Sequence, residues 1–220
     1  MTILLALAGF YAAMMILRYG RRGLLAVAPS LVSSRSTPDA PAPTEAQRAA
    51  AELLLPLGFR LLGSHAEDGP LRGLGLRSET FADADGLVFA DVFELAPHPG
   101  AVARVQLLST FPDGAAALTA NHARAARSGR LGEVSGLPGV ALVQVLEIHR
   151  RAMARLASAH GAPLPARDLA GRDAAARAWY RGIGGQEIRR RFAVYLGNTL
   201  FAAAVLAFCV TSIVRSRSAP

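Results

Sequence analysis

The sequence predicts an α+β fold, a small antiparallel sheet of four to five strands with covering helices, flanked by two transmembrane helices. Three observations predict it. Phe192 to Val214 (FAVYLGNTLFAAAVLAFCVTSIV) contains no Asp, Glu, His, Lys or Arg. Phe59 to about His122 breaks into short apolar runs separated by turn residues, and the segment that ends near His160 carries one apolar face at helical spacing.

The amino-terminal run Met1–Leu17 (MTILLALAGFYAAMMIL) would rise about 26 Å as a helix, at the lower edge of the spanning range. Arg18 can snorkel and Tyr19 can sit at the interface, which extends its reach. A cleaved signal peptide is the competing reading; it is poorer because no positive residue precedes the apolar run and Arg18, Arg21 and Arg22 follow it directly. Phe192–Val214 would rise about 34 Å, enough for a hydrocarbon core of about 30 Å. Arg189, Arg190 and Arg191 precede it, and Arg215 and Arg217 follow. Both flanks place the intervening chain in the cytoplasm under the positive-inside rule.

Composition agrees with anchoring. Of 220 residues, 52% are hydrophobic and 18% charged, with a mean hydropathy of +0.30, against roughly 25% charged in soluble domains. All 24 basic residues are arginine, and the net charge is +8. The arginines gather near the two apolar segments while Glu67 to Glu94 is acidic, which suits anionic lipid better than nucleic acid, a ligand that needs one continuous basic face. The single cysteine, Cys209, excludes an intrachain disulfide. Neither span carries a group that marks an ion or proton path. Gly9, Ala12, Ala13, Gly197, Ala203, Ala204 and Ala207 allow close helix approach, between the two spans or in a homodimer.

Leu24–Val32 reads as a short interfacial stretch, and Ser33–Pro43 (SSRSTPDAPAP) as an extended linker. Thr44 and Gln47 form a capping-box pattern opening a helix from about Glu45 to Leu55, which Pro56 and Gly58 end. The strands expected next lie in Phe59–His65, Leu74–Thr80, Leu87–Leu95, Ala101–Phe111 and Ala115–Asn121, joined as a meander by turns such as Pro112-Asp113-Gly114. A helix starts at Ser135–Pro138 and runs to about His160. Asp168 caps another through Tyr180, and Gly182–Gly185 offers a hinge before the carboxy-terminal helix.

The chain thus divides into 1–17, a transmembrane anchor; 18–43, a juxtamembrane segment and linker; 44–185, a cytoplasmic α+β domain; 186–191, a basic juxtamembrane segment; 192–214, a transmembrane helix; and 215–220, a tail. The elements have the order of a bacterial-type inner-membrane protein with two spans.

No motif identifies an activity. Ser109, Asp113 and His122 supply the residue types of a hydrolytic triad on one expected hairpin, but no G-x-S-x-G elbow surrounds Ser109, and Asp113 is explained by its turn. The histidines lack metal-ligand spacing; His65, His98 and His122, with Asp83 or Asp91, would have to converge from separate strands to hold a metal. His149 falls on the apolar stripe of its helix, the place of a packed, hydrogen-bonded histidine. FADADG departs from a calcium loop, and the glycine pairs match no phosphate loop. The sequence calls for no cofactor. The leading expectation is a non-enzymatic, membrane-anchored cytoplasmic module that binds a membrane or cytoplasmic protein partner, or the bilayer surface. The alternatives are a membrane-bound hydrolase or metal-dependent enzyme, and an extracytoplasmic binding module after signal cleavage.

Overall fold

The structure, a computed structural model, describes residues 2–29, 32–36, 42–68, 76–94 and 103–218. The chain divides into two units, Val32–Gly185 and a second made of Met1–Leu31 with Gln186–Pro220.

The larger unit is built on one open mixed sheet. Its strands are β1 (Ser33–Ser36), β2 (Arg60–Asp68), β3 (Leu76–Ala82), β4 (Phe89–Phe93), β5 (Arg104–Thr110), β6 (Ala116–Ala120), β7 (Arg127–Gly129) and β8 (Gly132–Gly136). They lie in the order β1-β2-β3-β4-β5-β6-β8-β7. Neighbours are antiparallel except β6 and β8, which run parallel with Ala116 opposite Gly132 and Ala120 opposite Gly136. The four to five antiparallel strands expected from the sequence are therefore corrected to a wider, mixed sheet.

The reason lies in what makes the extra strands. β2 to β6 overlap the five apolar runs, whose alternation and turn residues announce them; Leu74, Leu95 and Ala101 of those runs lie outside the described residues. β1 (SSRS) has no apolar alternation and joins the edge through its backbone ladder with β2, Ser34 opposite Glu67 and Ser36 opposite His65. β7 (RSG) and β8 (GEVSG) contribute one apolar side chain of size, Val134. Gly132 has φ +128°, and a Cβ there would lie 1.9 Å from the Ala116 carbonyl oxygen, so the parallel pairing requires glycine. Ser135 and Gly136, from the Ser135–Pro138 segment expected to open a helix, are thereby taken into β8, and the helix starts at Leu142.

Helices cover both faces. α2 (Glu45–Leu54) opens with the expected capping box: Thr44 Oγ1 accepts from Gln47 N–H at 3.1 Å and Thr44 N–H donates to Gln47 Oε1 at 3.0 Å. A 3-10 turn at Leu55–Leu57 follows, and Gly58 ends it at φ +84°. With α3 (Leu142–His160), α2 covers one face, where Leu54, Phe81, Val92, Val105, Leu107, Val145 and Met153 form the core. α4 (Leu169–Arg181), capped by Asp168 Oδ1 on Gly171 N–H at 2.7 Å, covers the other, with Phe89, Leu108, Leu118, Val134, Ala175 and Trp179 packed together. The expected hinge at Gly182–Gly185 is a break at Gly182 alone. α5 (Ile183–Ser218) starts on the next residue.

The second unit is a helical hairpin of α1 (Thr2–Val27) and α5. A Cβ at Gly9 would come 3.5 Å from Cys209 Cβ, at Gly20 3.7 Å from Thr199 Cγ2, and at Gly23 3.2 Å from Leu196 Cα. Numbers rise along one helix as they fall along the other, so the helices are antiparallel, with Gly9, Gly20 and Gly23 on the facing side of α1. Ala12, Ala202 and Cys209 are buried between them, whereas Gly197 faces away from any neighbour. Both helices are long and apolar enough to cross a membrane, through Ile3–Gly20 and within Ile183–Ser216.

Candidate functional site

The residues singled out from the sequence take separate partners. Ser109 lies on β5, buried under α3. Asp113, in the β5–β6 turn, is exposed and pairs with His160 Nδ1 at 2.7 Å, a bond that holds its carboxyl below the usual range. His122 meets the Ala123 carbonyl oxygen at 3.2 Å and packs edge-on against Phe93. His65 is fully buried on β2 under α4, and His98 lies outside the described residues. Among the described residues, no three His, Cys, Asp or Glu side chains group to hold a metal ion.

Ser109 does meet a histidine, a different one. Its Oγ lies 3.1 Å from His149 Nε2 on α3 and 2.7 Å from the Leu87 carbonyl oxygen. The hydroxyl's one proton goes to Leu87, so Ser109 accepts from His149 Nε2–H, and His149 Nδ1 accepts from Thr119 Oγ1 at 3.0 Å. Burial, with Arg150 adding to it, lowers the His149 pKa to about 3, so the ring is neutral. A general base would need a bare Nε2 facing the serine. Here the proton points the other way, and Ser109, His149 and Thr119 are all sealed from solvent. This arrangement packs α3 onto β5 and β6.

The opposite face carries an ionised cluster that sequence reasoning did not assemble. Arg172, on the buried stripe of α4 with Ala175, Ala176 and Trp179, reaches the sheet. Its Nε donates to both Asp91 carboxylate oxygens at 3.0 Å, and its Nη2 to Asp91 Oδ2 at 2.5 Å and Glu67 Oε1 at 3.0 Å. Asp91 also accepts from Thr80 Oγ1 at 3.0 Å and Gln106 Nε2 at 3.3 Å; the Tyr180 hydroxyl donates to Glu67 Oε2. Since Thr80 spends its proton on Asp91, the 2.6 Å contact to His65 requires His65 Nδ1–H to donate.

The charges are mutually sustained. Burial pushes the Glu67 carboxyl up, but His65, Arg172 and Tyr180 around it reverse that and bring it to about 2. Burial likewise raises Asp91, and Arg172 with His65 outweighs it, leaving the carboxyl lowered. Against its own burial, Arg172 is held protonated by Asp91 and Glu67, and Tyr180 is raised by burial and by Glu67. The guanidinium and both carboxylates stay ionised and the phenol stays neutral across ordinary pH. With its carboxylate oxygens occupied by Arg172, Thr80, Gln106 and Tyr180, the cluster fixes α4 to β2, β4 and β5.

Sequence signals for it existed. His65 and Glu67 are two apart on one strand, Asp91 interrupts the apolar run FADVF, and Arg172 is a charge on an otherwise apolar helix stripe. On the hairpin, Arg22 Nη1 donates to Tyr195 OH at 3.4 Å and lies over its ring, while Tyr19 packs on Tyr195 with ring centroids 5.8 Å apart. Comparisons with family models, with curated proteins and with solved structures find no match for the chain.

Proposed function

We propose that the chain is a non-enzymatic module tethered in a membrane by the α1–α5 hairpin, its α+β domain held in the cytoplasm to dock on a membrane or cytoplasmic protein partner. One observation carries the reading. The outer surface of the hairpin is apolar: Ile3, Leu4, Leu7, Phe10 and Leu17 on α1 and Val194, Leu200, Phe201 and Phe208 on α5 are each more than half exposed. In the domain, the exposed large apolar side chains are only Leu53, Leu55, Leu61, Val143 and Leu164 among the described residues. Each large apolar side chain left in water forgoes about 1.5–3 kcal/mol, so a surface this apolar is stable among lipid tails.

The stretch from Leu196 to Val214 rises about 28 Å between Tyr195 and Arg215, close to the thickness of a hydrocarbon core. Aromatic and basic side chains at Arg18, Tyr19, Arg22, Arg191, Phe192 and Tyr195 have the composition of an interfacial belt, and their excess over Arg215 and Arg217 supports a cytoplasmic domain. Burial of Ala12, Ala202 and Cys209 between the helices supports retention of α1 over its cleavage. The sealed surroundings of Ser109 and His149 favour a binding role over hydrolysis.

Carbonate washing of membranes, combined with an impermeant thiol reagent, tests this. In a Cys209→Ser background, a cysteine introduced at the exposed Ser128 is expected to label in inverted vesicles and not in right-side-out ones, with the chain staying in the pellet. Release into the supernatant overturns the anchoring; reversed labelling overturns the orientation. Crosslinking in cells tests the partner, and capture of self-contacts and bulk lipid alone would remove it.

A further inference from the structure

The net charge of +8 is not spread over the chain. Residues 1–31 and 186–220 hold eight arginines and a single acid, Glu187, so the hairpin carries seven of the eight net charges and the domain is close to neutral. Six of those arginines precede or follow the apolar runs at one end, Arg18, Arg21 and Arg22 on α1 and Arg189, Arg190 and Arg191 on α5.

Antiparallel packing sets Gly20 beside Thr199 and Gly23 beside Leu196, so Arg22 stands opposite Tyr195 and Leu196 while Arg189, Arg190 and Arg191 follow toward the start of α5. Tyr19 meets Tyr195, and the Arg22 guanidinium stands 5.3 Å from the Tyr195 ring centroid with Nη1 on its hydroxyl. Arg18 lies 5.6 Å from the Tyr19 ring and Arg191 5.8 Å from the Phe192 ring. Phe192 in turn packs on Tyr195 at 5.7 Å. Arg18, Arg22 and Arg191 are exposed, so each guanidinium rests on an aromatic neighbour while keeping N–H donors for an outside acceptor. Arginines so held lose less freedom on meeting a phosphate than arginines on unsupported side chains.

We propose that this collar seats anionic phospholipid headgroups, their phosphates received by Arg18, Arg22 and Arg191 at successive levels of the hairpin and their acyl chains lying against its exposed apolar side chains. The proposal rests on the reading of α1 and α5 as a membrane anchor. It goes further in assigning a lipid class and the side chains that select it. Charge complementarity argues for the occupant: an anionic headgroup meets several cations and one acid at the depth where the apolar surface begins.

The test uses the full chain, delipidated in neutral detergent micelles and titrated with phosphatidylglycerol or phosphatidylcholine, with retained lipid read by intact-complex mass spectrometry. Phosphatidylglycerol is expected to be retained about tenfold better, and Arg18→Gln with Arg22→Gln to abolish most of that preference. Arg215→Gln with Arg217→Gln, at the far end, is expected to leave it unchanged. Inorganic phosphate at millimolar concentration is expected not to compete, because it lacks the acyl chains. Equal retention of the two lipids, an unchanged preference in the Arg18/Arg22 variant, or displacement by free phosphate overturns the lipid seat. Carbonate washing of the wild-type chain separates this from the anchoring: pelleting of a wild-type chain that shows no lipid preference sinks the seat alone, whereas its release sinks both.

Discussion

The two faces of the sheet each bury a histidine against a threonine hydroxyl, and they treat it in opposite ways. Under α4, His65 donates to Thr80, which donates to Asp91, so the chain of protons ends on a carboxylate held by Arg172. Under α3, Thr119 donates to His149, which donates to Ser109, which donates to the Leu87 carbonyl oxygen. Burial is equally complete on both sides. The terminal acceptor and the cation facing it decide the outcome. Where Arg172 stands opposite, two carboxylates remain ionised; where the surroundings are apolar and the neighbouring charge is Arg150, the polar chain is kept neutral throughout.

The largest break in this comparison is Arg172→Met, which leaves Asp91 and Glu67 buried without their cation. Unfolding of the full chain in micelles, followed by the fluorescence of the single tryptophan, Trp179, should show a loss of about 3–5 kcal/mol. Adding Asp91→Asn and Glu67→Gln should recover much of it. A triple variant no more stable than the single one would show that packing, not uncompensated charge, was the cause.

Acid titration separates the two faces. His149 binds its proton near 6.5 when unfolded and only near about 3 when folded, so the unfolded state holds more protons between those values. Stability complete above pH 6.5 is therefore lost as pH falls through that window, at up to about 1.4 kcal/mol per pH unit. For Glu67 the ordinary value of 4.5 falls to about 2, and its contribution, complete above pH 4.5, is lost as pH falls toward 2. His149→Gln should flatten the slope between pH 6.5 and 4.5 while leaving the steeper decline below it; an unchanged slope above pH 4.5 would remove His149 as its source. Tyr180→Phe acts only on the charged face. It should cost about 1.5–3 kcal/mol and move the Glu67 transition to higher pH, read by the same fluorescence titration.

Much of the scaffold was legible because it is written in side chains. Alternation and turn residues announced β2 to β6, Thr44 with Gln47 announced α2, and Asp168 announced α4. β1, β7 and β8 were not legible, since Ser33–Ser36 and the glycines of β8 are held by backbone pairing and carry almost no apolar pattern. The ionised cluster was half legible: His65, Glu67 and Asp91 sit in strands whose faces can be read, but their cation comes from a helix far along the chain. Which helix covers which face depends on the sheet order, and the parallel β6–β8 pair altered that order. Ser109 was singled out with the wrong histidine for the same reason. His149 reaches it from α3, across the sheet face, not along the hairpin that holds His122.

The smallest expected effects compare the two threonines directly. Thr80 both accepts from His65 and donates to Asp91, so Thr80→Val strips one hydrogen bond from a buried carboxylate and leaves the His65 Nδ1–H unpaired; the expected loss is about 2 kcal/mol. Thr119 only donates, to His149 Nδ1, so Thr119→Val leaves one neutral acceptor unpaired, at about 1 kcal/mol. Nitrogen-15 shifts of the two imidazoles check the proton directions behind this ordering, His65 protonated at Nδ1 and His149 at Nε2 near neutral pH. A His149 ring carrying its proton on Nδ1 would reverse the chain, turn Ser109 into the donor toward Nε2, and leave the Leu87 carbonyl without the hydroxyl that now reaches it at 2.7 Å. Thr119→Val would then orphan a donor instead of an acceptor, and the two threonine losses should converge.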